Sequence, residues 1–78
     1  MNAEYRKTLE CKIGRLNQKI AIELEEIKAN AQWLIDHINE PNIIAFFERS
    51  QMIKQSETKI KVYMATRDAV QQILDEVE

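Results

Sequence analysis

The chain has 78 residues and a net charge of −2, with 31% charged and 45% hydrophobic side chains, so it is one domain at most and too apolar to be disordered. A single glycine (Gly14) and a single proline (Pro41) exclude a sheet protein, whose turns consume both, and a glycine-rich phosphate loop. A single cysteine (Cys11) and a single histidine (His37) exclude an internal disulfide and argue against a metal cage.

The first predicted element is carried by Tyr5, Leu9, Ile13, Leu16, Ile20, Leu24, Ile27, Ala31, Leu34 and Ile38. Steps of three and four place them on one helical face, so a helix is expected over about 3–38. Leu9, Ile20 and Ala31 stand eleven apart, a repeat of about 3.67 residues per turn, which predicts a straight or slightly right-handed pairing. Asn2 suits the helix cap, and Glu4 suits the positive end of the dipole. Gly14 costs about 1 kcal/mol against alanine unless a neighbouring helix approaches closely there.

Asn39-Glu40-Pro41-Asn42 is the expected turn, because the residue before proline avoids the helical region and proline suits a helix's first turn. So short a connection makes the two helices antiparallel neighbours. A second helix is expected over about 42–77, with a seam of Phe46 or Phe47, Ile53, Ile60, Tyr63 or Met64, Val70, Leu74 and Val77. Folding about residue 40 sets Leu34 near Phe47, Ala31 near Ser50, Ile27 near Lys54, Leu24 near Glu57 and Ile20 near Ile60. The pairing is apolar at both ends and weak in the middle. Either a partner covers Leu24 and Ile27, or Met52 and Ile53 swing in.

Large apolar residues remain off this seam: Ile22, Trp33, Ile35, one of Ile43 and Ile44, one of Phe46 and Phe47, Val62 and Ile73. Monomers rarely expose such a patch. The expected fold is therefore all-α: two long antiparallel helices forming a helical hairpin, which dimerises into a four-helix bundle or grips another protein. Ile22, Trp33, Ile35, Ile44, Phe46, Phe47, Val62 and Ile73 are its candidate interface residues. Cys11 reads as a small, buried or half-buried hydrophobe. No apolar run approaches the ~20 residues of a membrane span, and no apolar signal core follows Met1–Lys7. A cytoplasmic protein with no membrane contact is expected.

For chemistry, no nucleophile–base pair can be assembled around the lone His37, so no enzyme, cofactor or small-molecule substrate is expected. His37 and Glu40 stand at i,i+3 beside Asp36, but a histidine at the negative end of a helix dipole is sufficient explanation. Lys12, Arg15 and Lys19, with Lys59 and Lys61 on the antiparallel segment, form a basic zone that could track phosphates. A four-helix dimer with that face is similar in layout, without a shared motif, to the Rop family of RNA-binding helical hairpins. That layout implies nucleic acid as an alternative partner, although base-stacking aromatics are missing from the zone.

Pro41 to Met64 carries an aromatic pair, a Ser/Gln/Lys-rich stretch and Ile60-Lys61-Val62-Tyr63. In these it resembles the second helix of the type III secretion needle co-chaperones, over under a third of the chain and without a diagnostic motif. The resemblance implies a small chaperone. The leading expectation is a non-enzymatic module that binds, masks or inhibits a partner protein, of the kind seen in small phage or mobile-element inhibitors.

Overall fold

The computed structural model describes residues 3–40 and 42–76. Two helices, α1 (Ala3–Asp36) and α2 (Ile43–Glu76), fold back on each other into a rod of 59 × 14 × 12 Å. The all-α helical hairpin expected from the sequence is the fold. Asn2, Pro41 and Val77, each given a role above, lie outside the described residues.

The helix boundaries are tighter than the periodicity suggested. α1 stops at Asp36, because Ile38 N–H donates to Ile35 O at 3.4 Å and Glu40 N–H to His37 O at 3.0 Å, bonds three residues back that end the α pattern. α2 begins at Ile43 on a side-chain cap: Asn42 Oδ1 accepts from Ala45 N–H at 3.0 Å, and Asn42 O accepts from Phe46 N–H at 3.1 Å.

The packing seam also departs from the expected one. On α1 the buried and half-buried side chains are Leu9, Ile13, Leu16, Ile20, Glu23, Ile27, Asn30 and Leu34, with Ala31 and Trp33 at its edges, and half-buried His37 extends the line just past the helix end. The steps alternate four and three without a break, a heptad of 3.5 residues rather than the eleven-residue repeat. On α2 Phe46, Arg49, Ile53, Ser56, Ile60, Tyr63, Arg67, Val70 and Leu74 keep the same spacing. Two heptads facing each other meet along the whole rod, whereas an eleven-residue stripe would drift away from its partner. Leu24 and Ile38 therefore leave the seam, at 46% and 68% exposed, and Glu23, Asn30 and His37 take the inward positions.

Of the open alternatives, Phe46 and Tyr63 turn inward while Phe47 and Met64 stay out. Ile53 swings into the weak middle and Met52 does not. Among the described residues the buried apolar side chains are Leu9, Leu16, Val70 and Leu74. Leu9, Val70 and Leu74 cluster at the open end of the hairpin, with Ile13 against them. Cys11 is exposed, which corrects its reading as a buried or half-buried hydrophobe.

Gly14 meets nothing within 4 Å of where a Cβ would sit, so no helix of the hairpin approaches it. Gly14→Ala should stabilise the protein by about 1 kcal/mol, and Asn42→Ala should destabilise it by about as much. Thermal unfolding followed by circular dichroism checks both; a less stable Gly14→Ala would mean that another chain abuts that position.

Candidate docking surface

At the turn end the inward polar side chains are satisfied by one linked set of contacts. Asn30 is 2% exposed. Its Nδ2 donates to Glu26 O at 3.0 Å, and its Oδ1 accepts from Arg49 Nη1 at 3.1 Å, across the two helices. The Arg49 guanidinium lies 4.9 Å from the centre of the Trp33 ring, a cation–π contact. Trp33 stacks on His37 at 4.1 Å with 12° between ring planes, and meets Phe46 edge-on at 5.7 Å. His37 Nδ1 is held at 2.8 Å from Trp33 O. Trp33 and Phe46, two of the expected interface residues, are thus half-buried and engaged within the hairpin. His37 is part of this packing, and no group of three metal-ligating side chains comes together among the described residues.

Two flanks run beside the seam. One carries Lys19, whose Nζ lies 5.6 Å from the Tyr63 ring centre, and Lys59, whose Nζ lies 3.9 Å from Glu23 Oε1. Ile22, Glu26, Met52 and Gln55 line a groove with Lys59 over Asn30 and Ser56. Lys12 and Arg15 lie further along α1, in a shallow groove with Glu4, Lys7, Thr8 and Cys11. Lys61 stands two residues beyond Lys59, roughly 200° around the helix, and so points away from the other four. The five cations of the basic zone do not share one face, and the most enclosed carboxylate among them, Glu23, answers Lys59.

The opposite flank is apolar. Leu24, Ala31 and Ile38 each follow an inward polar residue (Glu23, Asn30, His37) and so form one line just outside the seam. Ile35 borders that line one turn from Ala31. Ile43 and Phe47 of α2, one turn apart, continue it at the same end of the rod. Ile35, Ile38, Ile43 and Phe47 are 64%, 68%, 82% and 62% exposed. Ile44 is exposed near the same end. Ile22, Val62 and Ile73 are exposed elsewhere and stand apart from this group. Sequence reasoning placed Ile35, Ile44 and Phe47 among the interface candidates, left Leu24 between the seam and a covering partner, and missed Ile38, which it had assigned to the seam. The signal that separates them is the heptad of α2, which α1 must match.

No protein-family model, curated protein or solved structure matches the chain.

The Asn30–Arg49 pair gives a direct test of what sets the register. Arg49→Met alone leaves the Asn30 carbonyl buried without its donor and should cost about 1–3 kcal/mol. Asn30→Leu combined with Arg49→Met should recover most of that loss, because an apolar pair leaves nothing unsatisfied. Urea unfolding of the two single variants and the double variant measures the coupling; strictly additive effects would show that the pair is independent.

Proposed function

We propose that this protein is a non-enzymatic docking module that binds another protein through the apolar flank of its hairpin near the turn. The observation that carries this reading is the row Leu24, Ile35, Ile38, Ile43 and Phe47, all of them 46–82% exposed. Singly exposed apolar residues are ordinary, whereas a contiguous row of them marks an interaction site. Phe47 is the natural anchor, since aromatic side chains dominate binding energy where they enter a pocket. Masking or inhibition of the partner follows if this flank covers a surface the partner needs.

The cations carry a nucleic-acid reading less well. Lys59 is answered by Glu23 and Lys61 faces away from Lys12, Arg15 and Lys19, so no continuous track for phosphates forms.

A photo-cross-linking residue placed at Phe47 should capture protein adducts in cells that make the full chain. The same residue placed at Lys12, in the basic groove, should not. Adding Ile43→Ser should cut capture at Phe47 at least tenfold while helix content stays unchanged. Equal capture from both positions, or adducts of nucleic acid alone, would sink the reading.

A further inference from the structure

We propose that the groove over Asn30 and Ser56 binds an organic cation on an apolar stem, the chemistry of an arginine side chain or a free alkylguanidine. The site lies across the seam from the apolar flank and is independent of docking there. Three observations carry it.

First, one hydroxyl in the groove is nearly enclosed and unused. Ser56 is 6% exposed and lines the groove. Elsewhere in the helices Thr8, Thr58 and Thr66 each donate their hydroxyl to the carbonyl four residues back, at 2.9, 3.0 and 2.9 Å. The Ser56 hydroxyl makes no hydrogen bond within the described residues. Every side-chain oxygen sealed from solvent among them has a partner, so Ser56 Oγ opens on the groove. A polar group enclosed without a partner carries a desolvation cost that a bound ligand removes.

Second, the charge left over is negative. Lys59 Nζ lies 3.9 Å from Glu23 Oε1, so these two lining residues answer each other. Lys19 is held over the Tyr63 ring. Glu26 has no ion pair among the described residues; only its backbone carbonyl is engaged, by Asn30 Nδ2 at 3.0 Å. Gln55 beside it adds an amide with no internal partner. Acceptors therefore surround one uncompensated carboxylate, and their complement is a positively charged donor.

Third, the walls and the size select the kind of cation. Ile22 of α1 and Met52 of α2 line the groove at 60% and 42% exposed. A hard metal ion wants a shell of oxygens, which these two cannot supply. A guanidinium is planar and weakly hydrated, so its stem packs on apolar walls while its edge donates to carboxylate and hydroxyl. The groove holds about 260 Å³, short of the ~300 Å³ at which pockets for larger ligands begin, and suits one side chain.

Titration of the full chain with n-butylguanidinium, followed by NMR of the Ile22 and Met52 methyl groups and the Ser56 amide, is the test. Saturable shifts confined to the groove are expected, with a dissociation constant on the order of 1 mM for so small a group. Glu26→Gln should weaken binding at least ~10-fold and Ser56→Ala about fivefold. Lys59→Met should tighten it, because the Glu23 carboxylate is then free. Ile43→Ser, on the apolar flank, should leave it unchanged. Circular dichroism verifies that each variant keeps its helices.

A short peptide carrying one arginine separates the two sources. Binding as tight as that of butylguanidinium assigns the groove to a protein side chain, and exclusion of the peptide assigns it to a free cation. The neutral isostere n-butylurea should not bind; equal binding of the urea would overturn the choice of a cation. Shifts that never saturate, or Glu26→Gln and Ser56→Ala variants that bind as the parent does, would overturn the site. None of these outcomes bears on cross-linking from Phe47, so docking at the apolar flank is judged separately.

Discussion

Asn30 is the most deeply buried side chain among the described residues, and its amide oxygen accepts a hydrogen bond from Arg49 of the facing helix at 3.1 Å. A buried amide tolerates few alternatives. A slip of the pairing by one turn would leave its oxygen without a donor, at a cost of about 1–3 kcal/mol. A single polar residue in a helical seam fixes register at the expense of some stability. Here it also fixes rotation. With Asn30 facing inward, Ala31 must lie about 100° further round, and Leu24 and Ile38 lie with it. The exposure of the apolar flank is therefore tied to the burial of one asparagine.

The hairpin has two unlike halves as a result. At the open end Leu9, Val70 and Leu74 make a small apolar cluster. Toward the turn the inward positions include Asn30, His37, Arg49 and Ser56, with Trp33 stacked on His37 and lying against Arg49 and Phe46. The polar half is satisfied within itself: no buried side-chain nitrogen or oxygen among the described residues lacks a partner. What it does not do is absorb the apolar side chains beside it. The half with the least apolar core carries the most exposed apolar surface.

The legibility of the sequence followed the same division. From Leu9 to Ile20 the expected seam and the observed one coincide, because every inward position is aliphatic and the two periods have not yet diverged. Beyond Ile20 they still share Ile27 and Leu34 but differ by one residue at every other position. Hydrophobicity alone prefers Leu24 over Glu23, Ala31 over Asn30 and Ile38 over His37, and it chooses wrongly at each pair. Glu23 is brought in by Lys59, Asn30 by Arg49, and His37 by stacking on Trp33. Each of these partners is distant in sequence or acts through ring geometry, neither of which a period can register. The basic zone misled for a related reason: Lys59 and Lys61 are close in sequence but far apart around the helix.

The sequence by itself determined that the chain is two long helices with one short connection near residue 40. Helical spacing is a local property, and one glycine and one proline leave no other place to break the chain. Tertiary structure alone decided which side of α1 faces α2. Two helices can stay in contact over 34 residues only if both present the same repeat, and α2 offers a heptad. That geometric demand outweighed the hydrophobic preference of α1, turned Asn30 inward, and set Leu24, Ala31 and Ile38 along the flank.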